Sequence, residues 1–167
     1  MKKTTFILLV FISLGCSASN EEKIAFGLKV LNETFNAFEE RHSICIKQSK
    51  QNKLSAESIE ILKKLPISTG DGLGYLNLKA IRNCSKPEYN EVIRLLLTLE
   101  SANKKLMNSA VSEKIEMLKS LMFPASELTS EKKFYELPSN VKQKLLLMNE
   151  LNQPFDMVDG FEKAWLN

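Results

Sequence analysis

The sequence predicts an all-α fold, an irregular bundle of seven or eight helices fastened by one disulfide. Apolar residues recur at alternating steps of three and four along almost all of the chain after residue 18. That period lines one face of a helix and cannot serve a strand, whose side chains alternate at every residue. Pro66, Pro124, Pro138 and Pro154 cut the pattern into pieces of helix length, because proline removes a donor and restricts the residue before it. Cys45 and Cys84 each close an apolar run, which leaves both placed to meet across the bundle.

The first helix is defined by Ile24, Leu28, Leu31, Phe35, Phe38, His42 and Cys45, with Glu33, Asn36, Glu39, Glu40 and Arg41 on the wet side. A second, short helix follows Ser55, a capping residue, with Leu54 placed to pack on Ile59 as a hydrophobic staple. Ile59, Leu62 and Leu65 form its apolar face and Pro66 stops it. Residues 67–74 hold Gly70, Gly72 and Gly74 and read as a flexible turn. Leu73, Leu76, Ala80, Ile81 and Cys84 mark the third helix, with Tyr75 and Lys79 on its flank.

Ser85 and Glu88 have the spacing of a capping box around Pro87, so a fourth helix should restart there. Tyr89, Val92, Ile93, Leu96, Leu99, Asn103 and Leu106 carry its period. The run Leu95-Leu96-Leu97 widens its apolar arc, as expected of a central helix. Val111, Ile115, Leu118 and Met122 set the fifth helix, interrupted at Phe123-Pro124. Thr129 to Leu137 gives a shorter one, and Ser139 is placed to cap the next, whose stripe is Val141, Leu145, Met148 and Leu151. Phe155, Val158, Phe161 and Trp165 form the last face. Met107, Met117, Met122 and Met148 read as core fillers, and no residue signature recurs at a fixed period as in a repeat protein.

Residues 1–18 read as an export leader. Lys2 and Lys3 precede an apolar run of nine residues, Phe6 to Leu14, and small residues follow at 15–18. The run is about half the roughly 20 residues that cross a hydrocarbon core. Leu14-Gly15-Cys16 resembles the cleavage box of bacterial lipoproteins, with Ser13 where that box has an aliphatic residue. The resemblance implies cleavage after residue 15 and a lipid on Cys16, and Ser17 in the next position implies outer-membrane sorting. Ordinary cleavage after Ala18 is the alternative and would release a soluble periplasmic or secreted chain. Either way residues 19–167 are expected to form a single helical domain with a short N-terminal tether, which in the lipoprotein case runs over 17–23.

Both outcomes leave Cys45 and Cys84 as an even pair in an oxidising compartment, where a disulfide is the default. No Cys-x-x-Cys spacing exists, so neither a redox pair nor a cysteine-cornered zinc site is expected. The chain's formal charge of +3 falls to +1 once Lys2 and Lys3 are removed, and its basic pairs lie among acids in helical patterns. Nucleic acid is therefore not an expected partner.

Chemistry-bearing residues are sparse. His42, the single histidine, lies on the buried stripe of the first helix and reads as structural. The glycine-rich stretch lacks the spacing of a phosphate loop or dinucleotide fingerprint, and Asp71 is its sole carboxylate. No catalytic residues, metal ligands or cofactor are assigned; Asp156, Asp159 and Glu162 read as solvated helix carboxylates. Candidate binding residues are Tyr75 and Trp165, as aromatic anchors, and Asp71 on the loop. The expected function is a non-catalytic bacterial envelope protein that binds an envelope or secreted protein through a helical surface, as an immunity or inhibitor protein does. The alternatives are an envelope hydrolase using carboxylates, or a carrier of a small apolar ligand.

Overall fold

The computed structural model describes residues 19–166. Residues 1–18, read from the sequence as an export leader with Cys16 as its lipidation site, lie outside them. Eight α-helices and two 3-10 turns, with no strand among the described residues, confirm the all-α bundle.

Helix α1 (Asn20–Gln51) has 32 residues, about 48 Å at 1.5 Å per residue, and is the longest of the described elements. It starts earlier than expected. Ser19 caps it in a full capping box with Glu22, so Asn20 to Lys23 are its first turn and not part of a tether. Such a cap contributes about 1 kcal/mol. Helix α2 (Ala56–Lys63) begins as predicted, with Ser55 Oγ accepting from the Ser58 amide and Leu54 buried in the same cluster as Ile59.

The glycine-rich stretch is not a turn. Residues Ile67–Thr69 form a 3-10 turn, and α3 (Gly70–Cys84) starts at the first glycine. No glycine among the described residues has a positive φ. At two of them the requirement is size: a Cβ at Gly70 would overlap the Phe161 ring, and one at Gly72 would lie 2.6 Å from Leu137 Cδ1, whereas one at Gly74 would make an ordinary contact.

Helix α4 (Lys86–Leu106) follows almost without a break. The Ser85–Glu88 capping box does not form; Ser85 Oγ instead donates back to the carbonyls of Ile81 and Arg82, while its own carbonyl accepts from the Tyr89 amide. The α3–α4 junction is thus a continuous backbone bent at Pro87, which cannot donate to Asn83. Leu97 points to solvent although in phase with its neighbours. The hub is α3 rather than α4. Helix α3 packs on α1, α4, α6 (Ala125–Glu136), α8 (Met157–Trp165) and two 3-10 turns, Ile67–Thr69 and Asn149–Asn152, whereas α4 packs chiefly on α1 and α5 (Ser109–Met122).

Helix α5 matches its predicted stripe, with Val111, Ile115, Leu118 and Met122 all buried. Met107 and Met117, in contrast to Met122 and Met148, are exposed. Helix α6 (Ala125–Glu136) begins directly after Pro124, four residues ahead of expectation, and Pro138 rather than Ser139 occupies the N-cap of α7 (Ser139–Leu147). A second 3-10 turn, Asn149–Asn152, carries buried Leu151. In α8 the buried residues are Gly160 and Ala164, Phe161 and Trp165 flank them, and Val158 faces out.

Two hydrophobic clusters result. One joins α2, the first half of α3, α6, α7 and α8 around Leu62, Leu73, Leu145 and Phe155. The other joins the first half of α1 to α4 and α5 around Leu31, Val92, Leu96 and Ile115. The Cys45–Cys84 disulfide, expected from the sequence, is present and fastens α1 to the end of α3 between the two clusters. At its far end α1 is tied to α8: Asn52 Nδ2 donates to the Pro154 carbonyl at 2.8 Å, and Lys53 Nζ bridges Asp156 and Asp159 at 2.7 and 3.3 Å.

Candidate functional site

The seam between the clusters is incompletely filled. One turn before Cys45 on α1, Phe38 and His42 face the end of α3 and the start of α4, and the turn between α5 and α6 closes the far side. The cleft left between them is about 470 Å³ and mainly apolar, a size and character suited to a small ligand or an inserted side chain.

Its walls are built from three directions. Helix α1 supplies Phe35, Phe38 and His42, in ring contact along one stripe, with centroids 6.0 Å apart for Phe35 and Phe38 and 5.3 Å for Phe38 and His42. Tyr89, on the first turn of α4, meets Phe38 at 5.8 Å. Arg82 reaches in from α3, with its guanidinium 5.6 Å from the Tyr89 ring centroid and ion-paired to Glu127 of α6. Ile46, Leu78, Leu121 and Phe123 stand exposed around the same region, Phe123 edge-on to Tyr89 at 6.4 Å.

The electrostatics follow from burial and from Arg82. Burial, reinforced by the nearby Arg82 charge, holds His42 below the ordinary histidine value, so its imidazole is neutral at pH 7. Its Nδ1 is buried without a hydrogen-bond partner among the described residues, as is Glu88 Oε2 on the neighbouring turn. Both acidic side chains lining the cleft come from outside α3, Glu39 from α1 and Glu127 from α6, and Glu127 is committed to Arg82. No group of three or more His, Cys, Asp or Glu side chains among the described residues is placed to hold a metal ion.

The residues singled out in the sequence lie elsewhere. Tyr75 stacks on Phe134 at 4.7 Å and its hydroxyl donates to Glu131 at 3.3 Å; burial and then the Glu131 charge push its phenol up. Asp71, one turn earlier on α3, accepts from Lys133 at 3.0 Å, so both residues sit on the α3–α6 face. Trp165 is on α8, its Nε1 donating to the Leu65 carbonyl at 2.9 Å and its ring 5.3 Å from Phe161. Asp71 and Tyr75 are therefore brought together, and Trp165 stands apart from them. Asp156 and Asp159 are held by Lys53 and Lys163 rather than standing free in solvent.

Arg82, Glu127 and Tyr89 carry the cleft and have no local sequence signature. One signal was present. His42 is three residues before Cys45, and Arg82 two before Cys84; closing the disulfide brings these two turns face to face. No protein-family model, curated protein or solved structure matches this chain.

Proposed function

We propose that the domain is a non-catalytic binding protein of the bacterial envelope that grips another protein through the seam cleft. The observation that carries this reading is that the exposed apolar side chains Ile46, Leu78 and Leu121 line the cleft together with Phe38, Tyr89 and Arg82, with exposed Phe123 edge-on to Tyr89. Aromatic and arginine side chains in a recess with an apolar rim are the composition that dominates binding energy at protein interfaces. Immunity or inhibition is one form of such binding, and residues 1–18, read as an export leader, support the compartment.

Affinity capture from crosslinked envelope, run in parallel with Leu121→Asp, tests it. A stoichiometric partner retained by the native chain and lost at least tenfold by the variant is expected. A partner retained equally by both, or none at all, rejects the cleft as a protein-binding surface. The cleft's volume favours a second reading, carriage of a small apolar ligand, which native mass spectrometry of the freshly purified protein detects as a discrete bound mass.

A further inference from the structure

A second concavity, sharing no lining residue with the seam cleft, runs along the first half of α1 and the second half of α4 and measures about 910 Å³. The two helices are antiparallel: Gly27 meets Leu99 and Phe38 meets Tyr89. Gly27 has no Cβ because Leu99 Cδ2 would lie 2.6 Å from it, so the helices close tightly beneath the groove. The floor is Ile24, Leu95 and Leu99, continuous with the core below. The edges are Phe26 and Leu97, 69% and 58% exposed.

Charge separates this groove from an ordinary unfilled helix face. Lys23, Arg94 and Lys105 line it, and no carboxylate does. Arg94 is held by Glu91, with Nε 2.9 Å from Oε2. Lys23 and Lys105, both exposed and both at the end formed by the start of α1 and the end of α4, have no ion-pair partner among the described residues.

We infer that the groove seats an amphipathic helix of another protein, apolar on its inner face and carrying carboxylates at the end that meets Lys23 and Lys105. A helix is the element that settles into the channel between two antiparallel helices, with anchors at i, i+3 or i+4, and i+7. Arg94 and Lys105 are 11 residues apart on α4, which sets a length of about 16 Å, or about three turns. A second copy of this chain packed groove to groove would bring like charges together. A bilayer surface would meet the protruding edges but not the recessed floor.

The test places a photo-crosslinking residue at position 26 or 97 of the full chain, in cells that make it, and identifies the joined peptide by tandem mass spectrometry. The expected product is a single amphipathic helical segment with acidic residues at one end. Its yield should fall at least tenfold in Lys23→Glu/Lys105→Glu, fall less in Lys23→Gln/Lys105→Gln, and stay unchanged in Leu121→Asp, which alters only the seam cleft. Circular dichroism of each variant establishes that it is folded. Crosslinks to phospholipid, to a second copy or to a segment without carboxylates overturn the inference, as do a yield insensitive to charge reversal and the lack of any product.

Discussion

A methyl group on Gly72 would lie 2.6 Å from Leu137 Cδ1 and 3.1 Å from Leu145 Cδ1, so α3 reaches the α6–α7 corner only because this residue has no side chain. Both leucines are buried and cannot swing away. Two positions on, a Cβ at Gly74 would meet Met157 Sδ at 3.5 Å, an ordinary contact.

The same substitution should therefore have opposite signs two residues apart. Gly74→Ala removes a helix-interior glycine without a clash and should stabilise by up to about 1 kcal/mol. Gly72→Ala gains the same propensity but forces two core leucines to move, and overpacking of that kind costs about 1–3 kcal/mol. Urea denaturation of both variants decides the matter; equal shifts would show that the close approach is not a constraint.

Asn103 lies on the apolar stripe of α4 and is buried, yet it is not replaceable by an apolar residue. Its Nδ2 donates to the Asn108 carbonyl and to Ser112 Oγ, both at 2.9 Å, and its Oδ1 accepts from the Asn108 amide at 3.1 Å. These bonds hold the α4–α5 turn, where Met107 takes a left-handed conformation, φ 50°. Asn103→Leu completes the stripe but strands the Asn108 amide, whose carbonyl still accepts from the Ser112 amide and hydroxyl, and should cost about 1–3 kcal/mol. A variant as stable as the native chain in the same denaturation experiment would show that the turn holds itself.

This contrast marks what the residue pattern could and could not convey. Periodicity identified the buried faces: Val111, Ile115, Leu118 and Met122 are all buried as spaced, and the disulfide followed from cysteine count and leader. Periodicity does not say which helix covers a face. Leu97 and Val158 are in phase with buried neighbours and remain exposed because no described element reaches them. The glycines at 70 and 72 suggest a turn in the sequence because glycine serves both freedom and closeness, and only the positions of Phe161 and Leu137 decide between them. The cleft was illegible for the same reason, since Arg82 and Glu127 meet from helices 45 residues apart.

Stability should fall as pH drops from about 6.5, and His42 should be the cause. Its folded value lies below the unfolded 6.5 because of burial and Arg82. As pH falls through that window the unfolded chain takes up a proton that the native chain refuses, which favours unfolding. Above about 6.5 the contribution is constant. His42→Gln should flatten the melting temperature between pH 7.5 and 5.5. Acid loss below about 4.5 should persist in the variant, because the Ser55 hydroxyl and amide hold Glu150 below its ordinary value and that stabilisation disappears on protonation. An NMR titration placing the His42 midpoint at or above 6.5 would reverse the predicted slope.

Tethering through Cys16 remains a proposal resting on Leu14-Gly15-Cys16. If it is correct, Cys16→Ser moves the protein from the membrane fraction to the soluble one, since the several acyl chains of a mature lipoprotein hold where one would not. Only residues 17 and 18 would then separate the lipid from the Ser19 cap of α1, keeping the first turn of α1 close to the membrane surface. An intact mass for an unmodified chain beginning at Ser19 rules this out.

The disulfide should be a stability element rather than a reactive one. Cys45 is fully buried on the stripe of α1, and the bond spans 39 residues of sequence. Closing a loop of that size is worth about 4 kcal/mol in the chain-entropy account, with measured losses of about 2–5 kcal/mol in small exported domains. It also holds the His42 turn against the Arg82 turn, so its loss should open the seam cleft as well as weaken the fold. Replacing both cysteines by alanine should lower the unfolding free energy by about 2–5 kcal/mol and speed amide exchange at Phe38 to Cys45 and Ile81 to Tyr89 ahead of the rest. Exchange that rises evenly over the whole chain would mean that the crosslink stabilises only through the unfolded state, and that the cleft holds its shape without it.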